Sequence, residues 1–363
     1  MAGLMIPHKL HRVLTSEDFA VEMLSKEQLL RMRDEVEREL EATVGWTATA
    51  QASDSFAPKD FLRRVQTTML QLERESAGAS AQGMSWNLWV TGSSGTGKTK
   101  FARFLCRYLR AYGAINKQTI VELTASQIRD GGIPPSEVLK QGFAQAAGGV
   151  LLIDDAHDLV KSDDSQATVS AAQIQGVFLS EMQNWEGHVT VVFAGFKDGM
   201  SKLMASPNIE SRFAFHLHID SYSHAELVLI MEQYAASKST PGFVFEDGLQ
   251  AKLQKHLEDG TDLSSGGSVI QAHAIVDRAI QSSQSRMFDR TLLESNMDVP
   301  DPALPVAEQA IGKNVLIAAD FRIGIKLGAG DEVKHQLDRG VEELIGMHAA
   351  KEWYSRDTLL VPA

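Results

Sequence analysis

The sequence predicts an α/β fold in which helices cover both faces of a parallel sheet, followed by a small helical domain. From Trp86 onward, short apolar runs alternate with helical stretches, a pattern typical of a parallel sheet. The run VLLIDD, residues 150–155, is too apolar to be exposed on either face, which indicates a strand inside such a sheet. From Ser223 to about Met287 the pattern is helical.

The region before the sheet predicts two helices. Ser25 and Gln28 form a capping-box pattern at a helix that starts near Lys26, and Gly45 is a natural stop. The apolar stripe of this helix packs either on its own domain or on a partner or neighbouring subunit, and both alternatives are open. Residues 47–57 are small and polar and predict a linker, after which PKDFLRRVQTTMLQLERES predicts the second helix.

Five strands and their intervening helices follow in order. The strands are predicted at NLWVTG, TIVEL, VLLIDD, HVTVVFAG and FHLHI. The helices between them are KTKFARFLCRYLRAYG, which Gly113 ends, SEVLKQGFAQAAGG, which Ser136 caps, and AAQIQGVFLSEMQNWEG. The helical domain comprises HAELVLIMEQYAAS, EDGLQAKLQKHLED and VIQAHAIVDRAIQSSQSRM, and the proline-bearing ESNMDVPDPALPVAE predicts a linker.

The composition narrows the class of protein. The chain has 363 residues, 44% hydrophobic and 23% charged, as in ordinary globular proteins. Its net charge of −12 disfavours nucleic acid or an anionic membrane as the main partner. One cysteine, Cys106, excludes an intramolecular disulfide and fits a reducing compartment. Without a signal-peptide core or a bilayer-spanning run, the sequence predicts a cytoplasmic protein.

A glycine-rich loop between the first strand of the sheet and the next helix fits the pattern G-x-x-x-x-G-K-[ST]. Its residues are Gly92, Ser93, Ser94, Gly95, Thr96, Gly97, Lys98 and Thr99. In this context the motif binds nucleotide phosphates through backbone N–H groups and a helix N-terminus. Lys98 is predicted to reach the β- and γ-phosphates, and the Thr99 hydroxyl to ligate Mg²⁺. The spacing disfavours a dinucleotide fold, which uses G-x-G-x-x-G.

A second set of candidate residues follows the buried strand VLLID. Asp154 lies at the carboxyl end of that strand, where ligands bind in a parallel sheet, and is predicted to hold the Mg²⁺ shell. Asp155 is placed to polarise the attacking water, although a glutamate would reach one methylene further. Small misplacements of that water can cost about 10²-fold in rate. The sequence therefore predicts intact binding and leaves the rate of hydrolysis open. His157 and Asp158 are predicted to have a structural role.

The run from LWVTGSSGTGKTKFARFLCRYL through GGVLLIDDAHDLV and VTVVFAGFKDGM to SPNIESRFAFHLHIDSYSHAELVLIM resembles AAA+ ATPases of the CbbX/CfxQ (SpoVK-like) group, over about residues 84–290. The resemblance implies a three-layer P-loop domain with a helical lid, and a ring, usually hexameric, with ATP and Mg²⁺ at each subunit boundary. It also implies ATP-driven remodelling of a protein gripped at the central pore. The ring is either a homo-oligomer or a hetero-oligomer with a related AAA+ subunit, and the sequence does not identify the client.

The resemblance also implies a residue that acts on the ATP of a neighbouring subunit. At three places the sequence departs from the pattern of the family. Arg212 in ESRF matches the arginine-finger motif, which would reach a neighbouring subunit's γ-phosphate because arginine is forked and permanently charged. The alternative is a surface arginine at a domain junction. The loop RDGGIPPSE offers only Ile133 where the family has an aromatic, and GGSVIQ lacks the lid arginine. FAGFKDG puts Gly195 and Phe196 near the nucleotide, with no asparagine to position water.

The chain is predicted to have four parts. These are a helical N-terminal extension and linker (1–57), the AAA+ P-loop ATPase domain (58–220), the helical lid domain (221–290), and a linker with a C-terminal helical region (291–363). In the last part, LGAGDEVKHQLDRGVEELIGM resembles the stretch that precedes the phosphate loop in a module of this group. It is either a vestigial or truncated second module or a docking helix.

Two functions are compatible with these residues. The first is an ATPase, fast or slow, that assembles into a ring and remodels a protein partner. The second is a nucleotide-dependent scaffold or regulatory subunit with weak ATP hydrolysis. The departures at Asp155, at Ile133 and in the lid favour the second, whereas the intact cradle, Asp154 and Arg212 favour the first. A nucleic-acid motor is disfavoured by the negative charge.

Overall fold

The structure is a computed structural model that describes residues 24–47, 55–75, 84–130, 132–160, 171–259, 268–296, 314–321 and 323. The C-terminal stretch 327–347, with its resemblance to the start of a second module, lies outside these residues. The chain divides into two compact units: Met1–Tyr234 with Leu257–Ala274, and Ala235–His256 with Ile275–Ala363. Among the described residues, no helix combines the length and the apolarity needed to cross a membrane.

The first unit is built around a five-stranded sheet, as the alternation of strands and helices predicted. Its strands are β1 (Leu88–Gly92), β2 (Ile120–Thr124), β3 (Val150–Asp154), β4 (Thr190–Gly195) and β5 (Phe215–Ile219). Their order is β2-β3-β4-β1-β5, and every pairing is parallel. The carboxyl ends of all the strands therefore lie at one edge, which is where parallel sheets bind ligands.

Helices cover both faces of this sheet. They are α1 (Lys26–Ala42), α2 (Pro58–Glu75), α3 (Lys98–Ala111), α4 (Ala125–Asp130), α5 (Pro135–Gln145), a 3-10 helix (Ala156–Val160), α6 (Ala171–Asn184), α7 (Lys197–Met204) and α8 (Pro207–Glu210). Alternate side chains of β3 enter opposite cores, as the strand period of two requires. Val150 and Leu152 pack with α1, α2 and α3, whereas Leu151 and Ile153 pack with α4, α5, α6 and α7.

Helix α1 packs on its own domain, which favours the first of the two alternatives for its apolar stripe. The predicted capping box is present: the Gln28 N–H donates to Ser25 Oγ, and the Ser25 N–H donates to Gln28 Oε1. The helix is joined to α3 by a forked ion pair between Glu39 and Arg107, with N–O distances of 2.6 and 2.7 Å. Apolar residues of α1, such as Val36, are also buried in the core that contains α3.

The end of the predicted linker at residues 47–57 is part of the sheet edge. The Phe56 N–H donates to the His216 carbonyl over 2.8 Å, and the Phe56 carbonyl accepts from the His218 N–H over 3.2 Å. Phe56 thereby forms a parallel bridge with β5. Small polar composition alone did not reveal this pairing, because it depends on a strand far along the chain.

Two further local predictions need correction. Pro134, not Ser136, occupies the N-cap position of α5. The proline pair sets the start of the helix because a proline needs no N–H partner in the first turn. The last predicted helix, VIQAHAIVDRAIQSSQSRM, continues past Met287 as α11 (Val269–Asn296), into the start of the stretch predicted as a linker.

The remaining elements are two helices, α9 (His224–Ser237) and α10 (Leu249–Glu258), and two short strands, β6 (Val244–Phe245) and β7 (Val315–Leu316). In the second unit β6 and β7 pair in parallel. Arg286 on α11 forms an ion pair with the buried carboxylate of Asp320, Nη2 to Oδ2 2.9 Å, and that oxygen also accepts from the Ile317 N–H. This contact anchors the segment 314–321 to α11.

Candidate functional site

The glycine-rich loop between β1 and α3 turns tightly at the start of α3. Gly95 has φ of +73° and Gly97 has φ of +94°, in the left-handed region that favours glycine. Gly97 is the N-cap residue of α3, so the first N–H groups of that helix lie beside the loop without helical partners. A Cβ on Gly95 would lie 1.9 Å from Ser268 Oγ, and the Val269 N–H donates to the Gly95 carbonyl over 3.2 Å. The start of α11 therefore packs directly on the loop.

Lys98 is buried under this loop. Its Nζ donates to the carbonyls of Gly92, over 3.0 Å, and Ser93, over 2.8 Å. Burial lowers the pKa of the Lys98 ammonium, and the charges of Asp154 and Asp155 oppose that effect. Two of the three ammonium donors are thus used by the loop, which aims the charge at a fixed point of the cradle.

Thr99, Asp154 and Asp155 meet at the carboxyl edge of the sheet. The Thr99 hydroxyl donates to Asp154 Oδ2 over 2.6 Å, and the Asp155 N–H donates to Asp154 Oδ1 over 3.0 Å. Asp155 itself is exposed and has φ of +51°. Aspartate is one of the few residues with a side chain that tolerate this left-handed conformation.

The donor set fits Mg²⁺. A hydroxyl and a carboxylate are hard oxygen ligands, and Thr99 and Asp154 already lie within hydrogen-bond distance of each other. Across the part of the chain that the structure describes, no group of three or more His, Cys, Asp or Glu side chains could hold a metal ion. This is compatible with Mg²⁺, which proteins usually hold through one or two side chains together with substrate phosphates and water.

A cavity of about 620 Å³ opens in front of these residues. It is lined by Val44, Ser94, Gly95, Gly97, Lys98, Thr99, Lys100, Asp154, Asp155, Phe196, Tyr222, Ile230, Gln233, Tyr234, Val269, Ile270 and His273. The structure therefore brings five of the eight predicted cradle residues to one cavity, together with Asp154 and Asp155. The other three, Gly92, Ser93 and Thr96, belong to the same loop but do not line the cavity. Its size suits a small-molecule ligand.

One wall of the cavity, next to the glycine-rich loop, is formed by Tyr222. Its hydroxyl donates to the Thr96 carbonyl over 3.0 Å, and burial raises its pKa to about 12, so it remains a donor at neutral pH. Its ring packs against Gly45, where a Cβ would lie 2.6 Å away. Farther along this wall the rings of Tyr234 and His273 stack with centroids 3.7 Å apart. These rings offer a flat apolar surface of the kind on which a nucleobase packs.

Phe196 stands at the rim of the cavity, where the sequence placed it. The residue is 43% exposed, and the centroid of its ring lies 5.1 Å from Lys98 Nζ, within cation–π distance. The His157 ring meets Phe196 edge-on, with centroids 5.0 Å apart, and His157 Nε2 lies 3.2 Å from Asp158 Oδ1. His157 thus packs behind the cavity and supports its rim.

Arg212 does not line this cavity. Its carbonyl accepts from the Asn87 side-chain amide over 3.2 Å, and Asn87 directly precedes β1, whereas the cradle follows β1. At about 3.3 Å per residue, this five-residue strand separates Asn87 from Gly92 by about 16 Å. An arginine side chain is shorter than that span, so the structure keeps Arg212 away from the cradle of its own chain.

Sequence reasoning missed the wall of the cavity. Val44 follows α1, Tyr222 follows β5 and His273 lies on α11, so three distant segments supply it. Val269 and Ile270 were predicted only as the start of a lid helix that lacks the family's arginine, yet both line the cavity. No local pattern marks these residues, because their common feature is proximity in the fold.

Comparison with known proteins finds a matching family and several relatives of this chain. The family described as "ATPase family associated with various cellular activities (AAA)" matches residues 88–221. The chloroplastic ribulose bisphosphate carboxylase/oxygenase activase of Cyanidioschyzon merolae is 32% identical over 225 residues, 59% of this chain and 72% of that protein. The CfxQ homologue of Guillardia theta is 27% identical over 296 residues, 77% of this chain and 92% of that protein.

A third relative is longer than this chain. The ESX-1 secretion system protein EccA1 of Mycobacterium tuberculosis is 26% identical over 264 residues, which are 71% of this chain. The match covers 45% of EccA1, so the chain spans less than half of that relative.

Proposed function

Because the chain belongs to the AAA family of ATPases, in its CbbX/CfxQ group, we propose that it binds Mg-ATP in this cavity and hydrolyses it at the subunit boundaries of a ring. The observation that carries the proposal is the convergence of Lys98, Thr99 and Asp154 on one cavity behind a glycine cradle. The ring would use each ATP to remodel a protein partner.

The residues of the cradle have separate roles in this proposal. The loop from Gly92 to Gly97 and the N-terminus of α3 surround the phosphates with N–H donors. Lys98 carries the charge that offsets the β- and γ-phosphates, and Thr99 with Asp154 would hold Mg²⁺. When bound, Mg²⁺ neutralises charge on the phosphates. Tyr222 would brace the phosphate loop, and the stacked rings of Tyr234 and His273 would receive the base.

Asp155 is proposed to orient and polarise the attacking water. It is exposed at the cavity, and its backbone N–H is anchored on the same carboxylate that Thr99 contacts. A base must lie within hydrogen-bond reach of the water or one water away. The short aspartate side chain at φ of +51° favours a site in which the water sits close to the strand end.

The position of Arg212 supports action in trans. Since β1 separates it from the cradle of its own chain, a phosphate that it touches belongs to a neighbouring subunit. The proposed assembly is either a homo-oligomeric ring, the hexamer that the resemblance to the family implies, or a hetero-oligomer with a related AAA+ subunit. The client is a protein, and the exposed Ile133, with 48% of its surface accessible, is the candidate contact at the pore.

A second candidate function is a nucleotide-dependent scaffold with weak hydrolysis. The observation that favours it is Asp155, a short acid held in a left-handed conformation where the reach to water is reduced. The scaffold would bind ATP in the same cavity as the ring ATPase and would differ from it only in the rate of ATP turnover. A reducing compartment such as the cytoplasm fits either function, since the single cysteine, Cys106, cannot form an intramolecular disulfide.

Steady-state phosphate release, measured across protein concentration, separates the two functions. A ring ATPase gives a specific activity that rises with concentration and with candidate protein partners, because each site needs the Arg212 of a neighbour. A scaffold binds ATP and assembles but shows little turnover at any concentration. Mass measurement in Mg-ATP against nucleotide-free buffer gives the assembly state. A monomer at saturating Mg-ATP, with partners present, would contradict both.

A further inference from the structure

A single asparagine joins the turn that carries Arg212 to the centre of the sheet. Asn87 Oδ1 accepts from the Val191 N–H on β4 over 2.8 Å, and Asn87 Nδ2 donates to the Arg212 carbonyl over 3.2 Å. Its main-chain carbonyl also accepts from the Ala214 N–H over 3.1 Å. Asn87 thus bridges β4 and the turn before β5 from the start of the strand that lies between them.

The side chain at this position needs both a donor and an acceptor. A carboxamide supplies an oxygen for Val191 and an NH₂ for Arg212, within one planar group. Aspartate has the same shape but only acceptors, so its second oxygen would face the Arg212 carbonyl without a proton between them. The bond to Val191 would survive that change, while the bond to the turn would not.

The Arg212 side chain, in contrast, is held loosely. Its Nη1 lies 3.8 Å from Glu186 Oε2, and the Glu186 side chain is 65% exposed. Exposed ion pairs of this length contribute little and exchange readily with other partners. The main chain of Arg212 is therefore fixed through Asn87, while its guanidinium can leave Glu186 for a phosphate.

We propose that Asn87 is a positioning residue for hydrolysis in the neighbouring subunit, because it fixes the turn from which Arg212 reaches across the subunit boundary. This rests on the proposed ring ATPase. Asn87 does not line the cavity of its own chain, so it acts on a partner's ATP through Arg212 alone.

The first test is the substitution Asn87→Asp. Its kcat for ATP is expected to fall by at least about tenfold, because an arginine finger contributes several orders of magnitude to phosphoryl transfer. ATP affinity is expected to stay within about twofold, because the cradle is intact. Asn116→Asp is the matched control: it makes the same charge change at a half-buried asparagine, in the loop before β2, and should keep the parental kcat.

Mixing subunits distinguishes positioning from general damage. Lys98→Ala lacks a working cradle but keeps its arginine, whereas Asn87→Asp keeps its cradle. In an equimolar mixture, some subunit boundaries combine the intact cradle of an Asn87→Asp subunit with the correctly held Arg212 of a Lys98→Ala subunit. Such a boundary has every residue that hydrolysis needs. Turnover above the sum of the separate proteins is therefore expected. Arg212→Ala mixed with Lys98→Ala provides the reference for the same rescue.

The outcomes separate the two proposals. If Arg212→Ala and Lys98→Ala fail to rescue each other, the ring ATPase itself is wrong. If they do rescue each other, but Asn87→Asp keeps parental turnover or is not rescued by Lys98→Ala, Asn87 has no positioning role. If thermal denaturation shows that Asn87→Asp does not fold, Asn87→Ser replaces it under the same criteria. The serine variant lacks the amide and adds no charge.

Discussion

The Thr99 hydroxyl donates to the Asp154 carboxylate over 2.6 Å, although the two residues lie 55 positions apart. Thr99 belongs to the first turn of α3 and Asp154 ends β3, so the contact depends on how the sheet is ordered. It joins the phosphate-binding loop to the strand end that carries the acids. The proposed Mg²⁺ site therefore depends on the contact between Thr99 and Asp154.

Replacing Thr99 should separate metal binding from nucleotide binding. Thr99→Ala is expected to lower ATP turnover by at least about tenfold, because a metal ligand is lost. Thr99→Ser keeps the hydroxyl and should stay within about threefold of the parent. ATP affinity measured with Mg²⁺ and with EDTA checks the cause. In Thr99→Ala the two affinities should become similar, and a full Mg²⁺ effect in that variant would contradict the assignment.

Substitutions of Asp155 test the water-activating acid. Asp155→Asn is expected to abolish turnover because it removes the charge, while binding persists through Thr99 and Asp154. Asparagine also tolerates φ of +51°, so the fold should be retained. Asp155→Glu should raise turnover or leave it unchanged, at a cost of about 1 kcal/mol in stability from the left-handed backbone. Parental phosphate release by Asp155→Asn at saturating Mg-ATP would remove Asp155 from the mechanism.

The lowered pKa of Lys98 predicts an alkaline limit to ATP binding. Burial lowers this pKa below 10.5, so the ammonium loses its proton, and its attraction for phosphate, before an exposed lysine would. ATP affinity should decline over the pH range that lies between this lowered pKa and 10.5. The nucleotide-free protein should gain stability over the same range, because the unfolded chain holds the proton longer.

Calorimetric binding across this pH range measures the effect. Lys98→Ala is the control, since its weak residual binding should be nearly independent of pH there. The buried phenol of Tyr222, with a pKa of about 12, stays protonated and adds no change. A parental decline that persists in Lys98→Ala would assign the effect to another group.

Two glycines with the same backbone angle test the wall of the cavity. Gly45 and Gly113 both have φ of +74°, so an alanine at either should cost about 1 kcal/mol. Only Gly45→Ala also meets the Tyr222 ring, at 2.6 Å, whereas nothing lies within 4 Å of a Cβ on Gly113. Gly45→Ala should therefore lose about 1 kcal/mol more.

The same pair separates packing from ligand binding. Displacing Tyr222 breaks its bond to the Thr96 carbonyl in the cradle, so Gly45→Ala should weaken ATP binding severalfold. Gly113→Ala should bind ATP like the parent. Urea unfolding and ATP titration measure both quantities. Equal losses in the two variants would mean that Tyr222 does not brace the cradle.

Local signals in the sequence predicted the helices and strands well where short-range chemistry decides them. The capping box at Ser25 formed as expected, because its two hydrogen bonds connect residues only three positions apart. The strand ending at Asp154 was predicted from its apolar run alone. Ser136 was a wrong cap, since the preceding prolines determine where that helix starts.

Long-range contacts were beyond the reach of such signals. Phe56 lies in a polar stretch that looked like a linker, yet it pairs with β5 across the sheet edge. Asn87 showed no motif, and its role emerges only from the two elements that it bridges. The cavity wall at Tyr222 was missed for the same reason.

By itself, the sequence determined the parallel sheet, the glycine cradle and the identity of the acids, because periodicity and motif spacing are local properties of the chain. Only the tertiary structure decided that Thr99 contacts Asp154, that Tyr222 braces the cradle, and that Arg212 lies at the other end of β1. These relationships depend on strand order and on packing between distant segments. Free energies of burial and hydrogen bonding select that arrangement for the chain as a whole, and no short window of sequence contains it.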